Sequence, residues 1–158
     1  MLNIEVRPIK TNQELEDMYY QRWLVLRAPL GMERGTENDK YDTSAFHLVA
    51  VYNDTVIGSA RLRELSEGLG SIAYVCVLNE FHNRGIGRKL IEELVEKAKE
   101  KNLRTLRVMT RLDAVGFYKK LGFSERDESF NYLDIPHLFM YLTLPSPLTL
   151  DGDFLPNT

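Results

Sequence analysis

Along this chain the period of hydrophobic and polar positions changes repeatedly, and each change marks an element. Leu2–Arg7 alternates apolar and polar, which predicts a first strand. Thr11-Asn12-Gln13-Glu14 has capping-box spacing, with Thr11 as N-cap and Glu14 reaching back. The helix that follows is expected to present Leu15, Met18, Tyr19, Trp23 and Leu26 to the core and to stop near Pro29. Phe46–Tyr52 and Thr55–Arg63 read as strands joined by a hairpin at Asn53-Asp54. A polar turn at Glu67-Gly68-Leu69-Gly70 leads into Ser71–Val77, whose β-branched and aromatic residues predict a central strand. After a break at Asn79-Glu80, apolar residues at 90, 91, 94, 95 and 98 line one face of a helix ending near Asn102. The opposite face carries Glu92, Glu93, Glu96, Lys97 and Lys99.

Thr105–Met109 is a further strand, and Asp113–Lys120 is a short helix closed by Gly122. Phe123–Glu125 and Pro136–Thr143 complete the strands. The order is β-α-β-β-β-α-β-α-β-β. A strand–helix–strand crossover through the central helix implies a parallel pair, and hairpins imply antiparallel neighbours. The expected class is α/β (α+β), a mixed, twisted, mostly antiparallel central sheet with helices on both faces.

Length and composition narrow the functional classes. The 158 residues suit one domain, 1–143, with a proline-containing tail, 144–158, expected as a loose extension or a strap over a neighbour. A net charge of −3 argues against nucleic-acid binding, and the absence of a basic run argues against a membrane surface. A single cysteine and an N-terminus unlike a signal peptide suggest a cytoplasmic protein.

The segment His82-Asn83-Arg84-Gly85-Ile86-Gly87-Arg88 joins the central strand to the central helix. The first amides of a helix lack carbonyl partners and lie at the positive end of its dipole. Gly85 and Gly87 remove Cβ atoms that would hold a phosphate away, and Arg84 and Arg88 add positive charge. The expected guest is a phosphate or pyrophosphate; the bland alternative is a tight turn. A Walker loop is excluded by Gly87-Arg88-Lys89-Leu90, and a dinucleotide fingerprint by Leu90 where a third glycine is needed.

This loop resembles the acetyl-CoA loop of the GNAT superfamily of N-acetyltransferases, Gln/Arg-x-x-Gly-x-Gly/Ala, with both glycines matched and His82 in the first position. Ala114-Val115-Gly116-Phe117-Tyr118-Lys119-Lys120-Leu121-Gly122-Phe123 is similar to the same family's A-x-x-F-Y-x-x-x-G-F signature, with every fixed residue present. Asp134-Ile135-Pro136-His137 followed by Met140 resembles the closing strand of the ElaA-type subgroup. An asparagine frequent three residues before Ala114 is replaced by Arg111, which could instead meet a phosphate.

The resemblance implies an enzyme that moves an acetyl group from acetyl-CoA to a primary amine by direct attack. The alternative is a non-catalytic acetyl-CoA-binding sensor of the same fold. A backbone N–H within Val75-Cys76-Val77 would hold the oxyanion, Phe117 would line the cofactor arm, and Tyr118 would protonate the leaving thiolate. A phenol with a pKa of about 10 needs positioning to protonate a thiolate whose acid is near 8.5. From periodicity alone Tyr118 is simply a core aromatic. Glu64, His47 and His137, in that order, are candidates for the base that deprotonates the amine. His82 either contacts phosphate or caps the turn, and His137 has a structural alternative on its terminal strand. A strand cysteine such as Cys76 is expected to be inert, and the His47, Cys76 and His137 spacings match no zinc pattern, so no metal is expected. The charged loop Gly31–Tyr41 reads as solvated or substrate-facing, and the acidic residues between Glu33 and Asp42 favour a cationic acceptor. The acceptor's identity, a small molecule or a peptide amine, is not legible, and a homodimer is compatible with the family and the tail.

Overall fold

A computed structural model describes residues 2–145, which group into two compact units. The first holds residues up to Arg63 together with Ile72–Leu94, and the second holds Glu64–Ser71 with the described residues from Val95 on. The strands form a mixed, mostly antiparallel sheet accompanied by helices. Among the described residues no helix is long and apolar enough to cross a membrane.

In the first unit, β1 (Glu5–Pro8) pairs antiparallel with β2 (Phe46–Tyr52), and β2 with β3 (Thr55–Ser66), whose last three residues pass into the second unit. β4 (Leu69–Val77) is the next neighbour of β3. The β2–β3 hairpin turns on Asn53 and Asp54, both with positive φ (49° and 60°), residue types that tolerate the left-handed region. Strand β3 is buried continuously from Val56 to Leu62, so it behaves as an interior strand and not an alternating one. A Cβ on Gly58 would lie 3.1 Å from the Cys76 carbonyl, which shows how closely β3 and β4 approach there.

Helix α1 (Asn12–Leu26) begins as expected, with the Thr11 hydroxyl accepting from the Glu14 N–H at 3.1 Å. Glu14 reaches one residue further back than a capping box requires. It accepts from the Lys10 N–H at 2.8 Å and from the Arg7 guanidinium. Arg7 holds the Glu14 carboxyl down to a pKa of about 2. Met18 packs with Val49 and Val56, with Ile9, Leu15, Tyr19 and Val51 against them. The expected apolar face of α1 needs one correction: its most buried residues include Gln21 and Arg22, whereas Leu15, Tyr19, Trp23 and Leu26 are only half-buried.

Helix α2 (Ile86–Glu100) buries Leu90, Ile91, Leu94 and Ala98, the expected face. In the second unit, β5 (Thr105–Arg111) pairs antiparallel with β8 (Ile135–Thr143), from Thr105↔Thr143 to Arg111↔His137. Helix α3 (Val115–Lys120) is preceded by a 3-10 turn, Leu112–Ala114, so the single helix expected over 113–120 is split. β6 (Ser124–Glu125) and β7 (Phe130–Tyr132) both pair with β8. β7 was not anticipated: it is three residues long, too short to display a period, and exists only through its ladder with β8. Of the tail only Leu144 and Pro145 are described, and the Leu144 N–H donates to the Arg104 carbonyl at 2.8 Å; the rest of the expected extension lies outside the described residues.

Candidate functional site

The segment after β4 is built from a 3-10 turn, Asn79–Phe81, and a loop that enters α2. Asn83 and Gly85 have φ of 61° and 77°, and positive φ at alternate positions curls backbone amides toward a common concavity. A Cβ on Gly85 would meet no atom within 4 Å, so glycine serves the backbone conformation there and the space beside it is open. The Lys89 N–H donates to the Gly85 carbonyl at 3.0 Å, closing the first turn of α2. The amides of Ile86, Gly87 and Arg88 precede that bond and have no carbonyl four residues back within the helix. Ile86 is buried and anchors the turn, while Arg84 and Arg88 are exposed. These features fit a phosphate-bearing ligand. His82 Nε2 lies 2.8 Å from the Val77 carbonyl and donates to it, tying the loop to the end of β4.

Immediately upstream, Tyr74 has φ of 54°. The other non-glycine residues with positive φ among those described lie outside strands; Tyr74 stands inside β4. A bulky residue in this region costs on the order of 1–3 kcal/mol and persists only when its surroundings over-determine it. Val75, Cys76 and Val77 follow directly. Cys76 is buried beside Gln21 Nε2 (3.3 Å) and Ser59 Oγ (3.5 Å), and burial pushes its thiol up from the ordinary value. It is an unactivated thiol, as expected for a strand cysteine.

Around Tyr74 the first unit gathers charges that periodicity did not predict. The Arg22 guanidinium carbon is 4.0 Å from the Tyr74 ring centroid, that of Arg61 is 4.8 Å away, and that of Arg27 is 5.8 Å away. Arg22 Nη1 donates to both oxygens of Asp42 (3.1 and 3.2 Å), and Arg61 Nη1 donates to Asp42 Oδ1 (3.2 Å) and Asp39 Oδ1 (2.7 Å). The Tyr74 hydroxyl donates to Asp39 Oδ2 at 3.4 Å. Burial works to raise the Asp39 carboxyl, but hydrogen bonds from Arg61 and the Tyr41 N–H hold it below the ordinary range. Burial, then the Asp39 charge, raises the Tyr74 phenol.

The 31–41 segment is therefore not simply a solvated loop. Glu37 and Asp42 are buried, with Glu37 accepting from the Gly35 N–H at 2.6 Å and Asp42 committed to two arginines. Most of the acidity attributed to this stretch is spent internally, which removes the argument for a cationic acceptor. Met18 and Arg22 stand four apart on one buried face of α1, and that spacing was the one sequence signal for a buried arginine.

His47 Nε2 donates to the Asp42 carbonyl at 2.7 Å, and its Nδ1 is buried without a hydrogen-bond partner. Burial lowers its pKa, outweighing the hydrogen bond and the charge of Asp42, so the ring is neutral at pH 7. The other two base candidates belong to the second unit: Glu64 is exposed near the end of β3, and His137 is buried. The His137 ring lies 5.4 Å from Tyr132 and 6.4 Å from Phe130, and its Nδ1 donates to the Ile135 carbonyl at 2.7 Å, the arrangement of a structural histidine.

Tyr118 is buried on α3, edge-on to Phe117 (5.0 Å) and Phe123 (5.5 Å), while Phe117 is exposed. Gly122 has φ of 97°, and the Phe123 N–H returns to the Tyr118 carbonyl at 3.1 Å, so the Gly-Phe pair of the motif closes the helix beneath the tyrosine. Arg111 ends β5 opposite His137. Among the described residues no group of three or more His, Cys, Asp or Glu side chains could hold a metal ion.

A family model described as the acetyltransferase (GNAT) family matches residues 11–123. A chain of Bacillus subtilis strain 168 described as an acetyltransferase is 27% identical over 140 residues, covering 87% of this chain and 95% of that one. Among solved structures, an N-acetyltransferase from Lactobacillus plantarum superposes with a TM-score of 0.81 at 20% identity, covering 90% of this chain and 99% of the other. Escherichia coli ElaA gives 0.77 at 19%, covering 87% and 98%. A GNAT acetyltransferase from Elizabethkingia anophelis with acetyl-CoA bound gives 0.67 at 23%, covering 90% and 99%.

Proposed function

This chain belongs to the GNAT family of acetyltransferases and is an acetyl-CoA-dependent N-acetyltransferase, and on that premise we propose that it transfers the acetyl group by direct attack of a primary amine, with Tyr118 as general acid. The observation that carries the proposal is the backbone between Tyr74 and Arg88. A left-handed residue in β4 re-aims the amides that follow it, and the Asn83–Gly85 curl delivers free helix amides to an open space.

The loop amides of Ile86, Gly87 and Arg88, with the side chains of Arg84 and Arg88, hold the pyrophosphate. His82 acts by fastening this loop to Val77, and Asn83 supplies its left-handed step. Arg111 adds charge toward the cofactor, and Phe117 offers an exposed ring to its arm. A backbone N–H within Val75–Val77 donates to the developing oxyanion. The acetyl thioester is supplied by acetyl-CoA, as the relative crystallised with acetyl-CoA supports. The amine nitrogen bonds to the carbonyl carbon, the carbon–sulfur bond breaks, and the Tyr118 phenol gives its proton to the departing sulfur. Glu64, exposed on β3, is the leading candidate to take the amine's proton through water. His47, neutral but buried, and His137, engaged with Ile135, rank below it. The catalytic domain is residues 1–143, since the family match draws on both compact units.

Calorimetric titration with acetyl-CoA, with ATP and NAD as controls, tests the cradle. Micromolar binding of acetyl-CoA alone is expected; preference for ATP or NAD would overturn the proposal.

A further inference from the structure

The left-handed backbone at Tyr74 needs a cause, and its own sequence does not provide one. Tyrosine is neither asparagine nor glycine, and no turn is made within β4. What surrounds it is a set of charges drawn from three other elements, three of them buried and one, Asp39, exposed. Arg22 comes from α1, Arg61 from β3, and Asp39 and Asp42 from the loop before β2. Arg22 and Arg61 present their guanidiniums to the Tyr74 ring at 4.0 and 4.8 Å, a favourable cation–π distance. Both are nearly inaccessible, and both turn on one carboxylate, Asp42. Asp42 also accepts from the Asp39 N–H through Oδ2 (2.9 Å) and from His47 through its carbonyl (2.7 Å). Asp39 in turn accepts from the Tyr74 hydroxyl. The two nearest guanidiniums on the ring and the carboxylate on its hydroxyl therefore all lead back to Asp42, whereas Arg27, at 5.8 Å, is held separately by the Thr36 carbonyl.

We infer that Asp42 is a positioning residue for acetyl transfer: it holds Arg22 and Arg61 against the Tyr74 ring, keeps Tyr74 left-handed, and so aims the amides of Val75–Val77. This rests on the reading that one of those amides receives the thioester oxygen. Without the Asp42 carboxylate, Arg22 is left with the Glu37 carbonyl (3.1 Å) and Arg61 with Asp39 (2.7 Å), so two buried cations share one carboxylate where they had two, and they separate and release the ring. A tyrosine that is released relaxes toward the extended region, and the peptide after it rotates. Asp42 touches neither substrate nor sulfur in this account. Its effect passes entirely through the conformation of residue 74, which makes it separable from a general loss of stability.

The test uses the full chain with acetyl-CoA labelled with ¹³C at the acetyl carbonyl. Its bound chemical shift reports hydrogen bonding to the carbonyl oxygen without requiring a known acceptor. The unchanged protein should show a downfield shift on binding. Asp42→Asn should bind acetyl-CoA within about threefold, because the Gly85 cradle is left intact, yet lose most of that shift. Thiol release from acetyl-CoA, with hydroxylamine as acceptor, should fall at least tenfold in kcat with little change in KM. The decisive comparison repeats Asp42→Asn in a Tyr74→Gly background, where the left-handed conformation needs no clamp. There the substitution should produce no further loss of shift. If Asp42→Asn does not fold by circular dichroism, Arg61→Lys serves instead, keeping the charge beside Asp42 but removing the planar face. A folded variant that retains the full shift, or an equal loss in both backgrounds, would overturn the inference while leaving the amide reading intact. Absence of any downfield shift in the unchanged protein would overturn both.

Discussion

Asp42 Oδ1 lies 3.1 Å from Arg22 Nη1, and the two side chains are 2% and 0% exposed. An ion pair this far from water is held by its hydrogen bonds and stacking as much as by charge. Removing Asp42 strands the Arg22 charge, whereas removing Arg22 leaves Asp42 paired with Arg61 at 3.2 Å.

Asp42→Ala should therefore destabilise the protein by about 3–5 kcal/mol, the range for a buried pair broken on one side. Urea unfolding, compared at constant m-value, would measure it. A loss below about 1 kcal/mol would mean that water replaces the carboxylate, and would contradict the burial described.

Tyr118→Phe keeps the ring that packs against Phe117 and Phe123 and removes only the phenolic oxygen. If that oxygen protonates the thiolate, kcat should fall about 100-fold or more, with acetyl-CoA affinity preserved within about twofold. Steady-state kinetics beside calorimetry separates the two. Unchanged turnover would remove Tyr118 as the acid.

Gly85→Ala and Gly58→Ala should fail in different ways. At Gly85 the added methyl meets nothing, so only the positive φ is penalised, at about 1–2 kcal/mol, and the cradle relaxes away from its ligand. Acetyl-CoA affinity should drop at least tenfold in a protein that still folds. At Gly58 the methyl would press on the Cys76 carbonyl and on Val77 Cγ2 (3.3 Å), a crowding cost of about 1–3 kcal/mol with a smaller effect on affinity. Thermal melts and titrations on both variants would show the reversal of order.

Two groups set opposite ends of the acid response. His47 has a depressed pKa in the folded protein, so below an unfolded value of about 6.5 the unfolded chain binds a proton the folded one refuses. Stability falls as pH drops from about 6.5 toward that lower folded value, and His47→Gln should flatten this limb. Glu14 is held down to about 2 by Arg7 and the Lys10 amide. Its contribution is complete above the unfolded carboxyl value of about 4.3 and is lost as pH falls through 2, so Glu14→Gln should remove that second limb. Melting temperatures from pH 2 to 8 on the three proteins would resolve both.

What was legible in the sequence is local in its physics. The Thr11 cap needs a hydroxyl three residues from an amide, the 53–54 turn needs two residues tolerant of positive φ, and α2 needs apolar residues at helical spacing. The two acetyltransferase motifs were legible for a similar reason: Gly85 and Gly122 occupy left-handed positions that few residues accept, so the chemistry leaves a mark in the letters. The limits of the elements were less so, since β7 and the residues flanking β1 and β4 depend on ladder partners. What only the tertiary structure decided is where the charges went. The burial of Asp42 and Arg61 is not legible in the sequence, because nothing within a few positions of either reveals the counter-charge it meets. Arg22 finds Asp42 twenty residues away and Tyr74 more than fifty away. A charge is buried when its counter-charge is brought to it, and that depends on the packing of α1, β3 and β4, not on any stretch read alone.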